Sequence, residues 1–189
     1  MKKKIAILGS TGSIGKTLIN ILKKDKTNFE IVLLSTNKNI IELGKQAKFF
    51  NVKNLIVTDK DAYIKIKAKK NLKKNLIFNN FLTLDKLLKK KIDYVMSSIS
   101  GIEGLYPTIK IIKHTRNIAI ANKEAIICGW NILQKEFLKN KTNFIPVDSE
   151  HFSINYVIGN RSINDVENIY LTASGGPLKD LPYNQFKNI

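Results

Sequence analysis

Between Ile5 and Leu22 a short apolar run, Ile5-Ala6-Ile7-Leu8, halts in a turn of glycines and hydroxyls and then resumes at helical spacing. The run suits a strand buried on both faces. In the turn, Gly9-Ser10-Thr11-Gly12-Ser13-Ile14-Gly15, each glycine has a separate use. Gly9 permits the tight bend, Gly12 lets a pyrophosphate approach the backbone, and Gly15 lets the following helix pack close to the strand. That helix is expected to set Ile14, Leu18, Ile21 and Leu22 on one face. Its unpaired first-turn N–H groups would point at an anion. The spacing is GxxGxxG rather than the commoner GxGxxG, with Ser10, Thr11 and Ser13 as additional donors. The segment reads as a nucleotide-binding strand, turn and helix; the plainer alternative is an ordinary strand-to-helix turn.

The end of the second strand, Phe29 to Ser35, distinguishes the two nicotinamide cofactors. An NAD site places an Asp or Glu about 20 residues past the glycines to accept the ribose hydroxyls. Here the chain reads Ser35-Thr36-Asn37-Lys38-Asn39, with one cation and no carboxylate, and Glu30 lies at the wrong end of the strand. A 2′-phosphate is favoured over a bare ribose, and NADPH over NADH. The alternative is a solvated lysine in an Asn-rich loop.

Further apolar runs follow near 55–57, 76–78, 94–97, 118–121 and 144–147, separated by helical patterns at 40–50, 82–90, 103–113 and 124–138. Repeated strand and helix units of this length predict an α/β fold with a doubly wound, mainly parallel, Rossmann-like sheet. The rhythm changes after Pro146, with a helical stretch near Ile154, a strand over 168–173 and a Gly-Gly-Pro turn. We therefore expect a nucleotide-binding domain over residues 1–147 and the start of an α+β catalytic domain over 148–189.

The formal charge of +17 would ordinarily suggest nucleic acid as a partner. Only Arg116 and Arg161 are arginines, however, and 21 residues are asparagine. Lys, Asn and Ile all have AT-rich codons, so base composition accounts for the charge, and scarce arginine argues against base reading. Met1-Lys2-Lys3-Lys4 resembles the start of a signal peptide, but four apolar residues before Gly9 are too few for a secretory core or a membrane span. The single cysteine, Cys128, fits a reducing, cytoplasmic setting and is expected in the core.

Three constellations sit at late strand ends, where open α/β sheets bind ligands. Asn122-Lys123-Glu124 follows Ala121; Asn122 suits a helix cap as well as a site. Asp148-Ser149-Glu150-His151 follows Val147, and its two carboxylates would point the same way on an extended segment and share a hard divalent cation. They would equally serve as a helix cap or a solvated loop. Ser174-Gly175-Gly176 offers a hydroxyl and backbone donors to a phosphate, or an ordinary turn before Pro177.

In series, LGSTGSIG at 8–15, NKN at 37–39, ANKEA at 121–125, PVDSEH at 146–151 and LTASGGP at 171–177 resemble the 1-deoxy-D-xylulose 5-phosphate reductoisomerase family. The resemblance spans essentially the whole chain. It implies that Thr11, Gly12, Ser13 and Ile14 hold the NADPH pyrophosphate region and that Lys38 and Asn39 meet the 2′-phosphate. Asn37 stands where the family usually has glycine. Asn122 and Glu124 would complete the cofactor pocket. Lys123 and Glu150 would be the catalytic residues against the substrate, with Ser149 and Ser174 hydrogen-bonding to it. Asp148 and Glu150 would ligate Mg²⁺, Mn²⁺ or Co²⁺. His151 receives no role.

Family members are roughly twice this length. The resemblance therefore implies an N-terminal part that binds NADPH without turning over alone, its third metal carboxylate and active-site loop lying elsewhere. It also implies a bacterial, cytoplasmic homodimer acting on a sugar phosphate. Two rivals are a semialdehyde-dehydrogenase-like oxidoreductase, which needs a cysteine nucleophile in a polar loop, and a basic nucleic-acid-binding protein.

Overall fold

The alternation of β1, Lys3–Leu8, decides the layering of the domain. Ile5 and Ile7 face one side of the sheet and Ala6 and Leu8 the other, and all four are buried, as a strand covered on both faces requires. The computed structural model describes residues 1–69, 72, 74–159, 162–170 and 182. Two units emerge, Met1–Asp148 and Ser149–Ile189.

In the first unit β1 is joined by β2 (Phe29–Thr36), β3 (Asn54–Val57), β4 (Leu76–Phe78), β5 (Ile92–Ser97), β6 (Thr115–Ile120) and β7 (Asn143–Pro146). All pairings are parallel, in the order β4-β3-β2-β1-β5-β6-β7. The connecting helices are α1 (Ser13–Lys24), α2 (Ile40–Phe50), α3 (Lys60–Lys67), α4 (Leu84–Leu87), α5 (Leu105–Ile112) and α6 (Lys123–Asn140). Helices α1 to α3 cover the face that holds Ile5 and Ile7, through Ile19, Leu22, Leu43 and Ile66. Helices α4 to α6 cover the other, through Leu84, Ile111, Ile112 and Leu133. Each such side chain contributes about 1.5–3 kcal/mol on burial. The chain winds outward from β1 to β4 and returns to lay β5 against β1, so a topological switch point opens between the carboxyl ends of β1 and β5.

Several expectations need correction. Helix α1 turns Gly15, Ile19 and Leu22 inward and leaves Ile14 and Ile21 exposed, because the contact of Gly15 with the turn fixes which stripe faces the sheet. Helix α3 was masked in the sequence by its lysines, although Asp59 caps it and Ala62 and Ile66 are buried. The helix expected over 82–90 is a 3₁₀ turn at Phe81–Thr83 followed by the four residues of α4. Cys128 is exposed on α6, not in the core. His114 lies just past α5. It is buried, with Nε2 2.8 Å from Asp85 Oδ1 and Nδ1 3.0 Å from the Leu88 carbonyl oxygen.

In the second unit, α7 spans Ser149–Ile158, so residues 149–151 open a helix and are not extended. Residues 168–170 carry no strand, and 171–173 lie outside the described residues. Among the described residues no helix is long and apolar enough to cross a membrane.

Topology also gathers charge that is dispersed in sequence. At the amino ends of the strands, a cleft of about 540 Å³ is lined by Lys2, Lys4, Lys86, Lys89, Lys90, Lys91 and Arg116, with no aromatic ring. Asp93 stands among them. The backbone N–H of Lys4 donates to its Oδ2 at 2.8 Å and Arg116 to its Oδ1 at 2.8 Å, and these contacts hold its carboxyl below the ordinary 3.8. A depressed carboxyl stabilises the fold above its unfolded-state pKa, and the contribution fades as pH falls through the folded-state value. Asp93→Asn is accordingly expected to lower Tm at neutral pH, with the gap from the parent closing below about pH 4 in melts across a pH series. A gap constant with pH would contradict this.

Candidate nicotinamide-nucleotide site

The turn between β1 and α1 is held by the end of β2. Gly9 N–H donates to Ser35 Oγ at 2.9 Å, Ser10 N–H to the Ser35 carbonyl at 2.9 Å, and the Thr11 and Thr36 hydroxyls meet at 2.6 Å. From the other side, Ser98 Oγ donates to the Leu8 carbonyl at 2.7 Å. Gly9 has φ +77°, and a Cβ there would lie 2.6 Å from the Ser98 carbonyl oxygen. A Cβ on Gly15 would stand 2.4 Å from the Gly9 carbonyl oxygen, so the close approach of α1 demands glycine.

Gly12 differs from both. Its φ of −75° and ψ of 176° are open to any residue, and the nearest atom to an added Cβ is Gly9 O at 3.4 Å. Neither backbone nor packing requires glycine at 12; the open space above it remains for an approaching group. Helix α1 also starts without a side-chain cap and without an acidic residue in its first turn. By contrast α2, α3 and α6 are capped by Asn39, Asp59 and Asn122 and carry Glu42, Asp61 and Glu124 in their first turns. The positive end of α1 is thus left for an external anion.

From this turn a groove of about 890 Å³ runs along the carboxyl ends of β1 to β3. Thr11, Gly12, Thr36, Asn37, Lys38 and Asn39 line one part of it, and Asn79–Phe81, Glu103 and Tyr106 another. Lys38 is 77% exposed, and its Nζ is 3.9 Å from Asp59 Oδ2. Asn39 accepts the Glu42 N–H at 3.1 Å. Asn37 lies outside the positive-φ residues and donates to Thr58 Oγ1 at 3.0 Å, so it occupies the family's glycine position without strain.

A second recess, of about 230 Å³, is lined by Ser13, Ile14, Asn122, Lys123, Glu124 and Asp148. Residues Ser98–Ser100 border both spaces, which therefore meet at the switch point. Asn122 is buried. Its Oδ1 accepts the Ala125 N–H at 2.9 Å, and its Nδ2 donates to the carbonyls of Ile99 and Gly101. Its side chain is therefore spent on capping α6 and anchoring the wall of the recess. Asp148 supplies a hard oxygen donor of the kind a divalent cation takes. The structure brings all of these residues together except Ser149 and Glu150, whose side chains lie outside the described residues, as does Ser174. Cys128 lines neither space. Sequence reasoning had not singled out Ser98–Ser100, Glu103 or Tyr106; the run Ser97-Ser98-Ile99-Ser100-Gly101 after an apolar strand was the available signal.

Residues 5–129 match the 1-deoxy-D-xylulose 5-phosphate reductoisomerase family, and residues 144–189 match its C-terminal domain. The chain is 56% identical over 190 residues to the 1-deoxy-D-xylulose 5-phosphate reductoisomerase of Pelagibacter ubique, covering 99% of this chain and 49% of that protein. Among solved structures, the enzyme from Zymomonas mobilis in complex with NADPH superposes with a TM-score of 0.85 at 26% identity, over 96% of this chain and 48% of that one. A DOX-P reductoisomerase in complex with NADPH, fosmidomycin and magnesium gives 0.78 at 25% identity, over 99% and 49%. The chain spans about half the length of the curated relatives it matches. Matched by the family over residues 5–129 and by its C-terminal domain over 144–189, this chain belongs to the 1-deoxy-D-xylulose 5-phosphate reductoisomerase family.

Proposed function

We propose that this chain carries the cofactor half of an NADPH-dependent reductoisomerase that converts 1-deoxy-D-xylulose 5-phosphate to 2-C-methyl-D-erythritol 4-phosphate. The observation that supports it most is the meeting, across Ser98–Ser100, of a dinucleotide-sized groove with a recess bearing Lys123, Glu124 and Asp148. Thr11, Gly12, Ser13 and Ile14 at the uncapped start of α1 receive the pyrophosphate. Lys38 and the Asn39 amide take the 2′-phosphate, with Asn37 beside them. Asn122 shapes the nicotinamide end through the loop it anchors, and Glu124 borders it. Lys123 places a cation where the substrate enters, Ser149, Glu150 and Ser174 complete its polar contacts, and Asp148 with Glu150 are the ligands for Mg²⁺, Mn²⁺ or Co²⁺. Bound metal supplies Lewis-acid stabilisation of charge on the substrate oxygens, and bound NADPH supplies the hydride. The role of the protein is to hold these groups in register and keep the recess walled. The working enzyme is a homodimer, and the 189 residues, about half the length of the curated relatives, bind NADPH without turnover by themselves.

Fusing residues 1–189 to the remaining part of the Pelagibacter relative tests this. The chimera is expected to consume NADPH only with both the sugar phosphate and Mg²⁺ present, and Asp148→Asn to lower kcat by about 100-fold or more. A chimera that binds NADPH but makes no product with any of the three metals would contradict the assignment. Separately, Lys38→Ala is expected to weaken NADPH about tenfold and NADH hardly at all, by titration calorimetry. Equal loss for both cofactors would remove Lys38 from the 2′-phosphate site.

A further inference from the structure

Beneath the turn lies a buried polar side chain that no role above uses. Gln46, on α2, is 2% exposed. Its Nε2 donates to the Ser10 carbonyl at 3.0 Å and to Glu42 Oε1 at 3.1 Å, while its Oε1 has no hydrogen-bond partner. The orientation is fixed by chemistry, because a reversed amide would set its oxygen against a carbonyl and a carboxylate, both acceptors. A buried, unpaired amide oxygen destabilises the fold, so stability alone is a poor reason to find glutamine here.

The two partners explain the position better. Ser10 belongs to the turn proposed for the pyrophosphate. Glu42 stands in the first turn of α2, its N–H held by Asn39, next to Lys38. One amide thus ties the pyrophosphate turn to the helix start that presents the 2′-phosphate contacts. We propose that Gln46 is a positioning residue for cofactor choice, fixing Lys38 and Asn39 at the right distance from the pyrophosphate turn so that one NADPH molecule engages both. The inference rests on the NADPH reading of the groove.

Titration calorimetry of the full chain with NADPH and NADH, together with Tm, tests it. Gln46→Met keeps volume and removes both donors. It is expected to weaken NADPH about tenfold and NADH no more than about twofold, with a modest fall in Tm, since two hydrogen bonds are lost while the unpaired oxygen also disappears. Glu42→Ala, which cuts one link at a half-exposed residue, is expected to move the NADPH-to-NADH ratio the same way by about threefold. Combined with Lys38→Ala, Gln46→Met should add less than its separate effect, because the group it positions is gone. Equal losses for both cofactors, an unchanged ratio in a folded variant, or full additivity with Lys38→Ala would overturn the proposal. Should Gln46→Met fail to fold, Glu42→Ala decides alone. If the parent chain binds neither cofactor, the NADPH reading itself fails, a result distinct from all of these.

Discussion

Gly12→Ala is expected to leave the folded chain intact and to abolish most of its affinity for NADPH. The methyl group would meet its nearest protein atom at 3.4 Å, an ordinary contact, on a backbone that alanine adopts freely. Stability should move by no more than about 0.5 kcal/mol, and the stiffer unfolded chain favours a small gain. The same methyl fills the space through which a pyrophosphate reaches the N–H groups of α1. Losing those contacts should raise Kd by about thirtyfold or more, equivalent to roughly 2 kcal/mol. Gly15→Ala provides the contrast, with a Cβ 2.4 Å from Gly9 O and 2.7 Å from Ser10 Cα, both backbone atoms that cannot swing aside. It should destabilise the apo chain by about 1–3 kcal/mol through overpacking. Calorimetry and thermal melts on both variants separate a glycine kept for the ligand from one kept for the fold. Unaltered NADPH affinity in Gly12→Ala would contradict the assignment.

Asn122→Ala is expected to have the largest effect on stability of any change at the site. It removes the cap from Ala125 N–H and leaves the Ile99 and Gly101 carbonyls without their donor. A lost cap costs about 1 kcal/mol and each carbonyl stripped of its donor about 1 kcal/mol or more, so the sum is about 3–4 kcal/mol. That is a large fraction of a domain stability of about 5–15 kcal/mol. Asn122→Asp keeps the cap but turns an acceptor toward two carbonyls, and should be no better than alanine. Urea unfolding reads the effect directly; a loss under about 1 kcal/mol would show that the network is dispensable.

How much of this was legible in sequence follows from which physical rules act locally. The turn at 9–15 was readable because its glycines, hydroxyls and flanking apolar runs are contiguous. The parallel sheet was readable because strand and helix periods alternate. Helix α3 is hidden because only Ala62 and Ile66 of its eight residues are buried and three of the other six are lysines. The face of α1 was misread because two overlapping apolar stripes share the helix, and only the contact of Gly15 with the turn selects between them. Cys128 was misplaced for a related reason: its apolar neighbours straddle both sides of α6, with Ile126 buried and Ile127 exposed. At 148–151 the spacing of the carboxylates suits a strand end, whereas α7 begins at Ser149. Gln46 has no local pattern that reveals it, and the Ser98–Ser100 wall only its serine run after an apolar strand. The Ser10 partner of Gln46 lies 36 residues away and is brought close by the pairing of β1 with β2. The Leu8 partner of Ser98 lies 90 residues away and is brought close by the return of β5 to β1.

On the reading proposed above, the uncapped α1, the open Gly12 and Lys38 together form an NADPH site. Titration of the purified 189-residue chain with NADPH and with NADH at matched ionic strength tests it most directly. One site per chain is predicted, with NADPH bound at least about tenfold more tightly than NADH. No binding of either cofactor, or equal affinity for both, would contradict it.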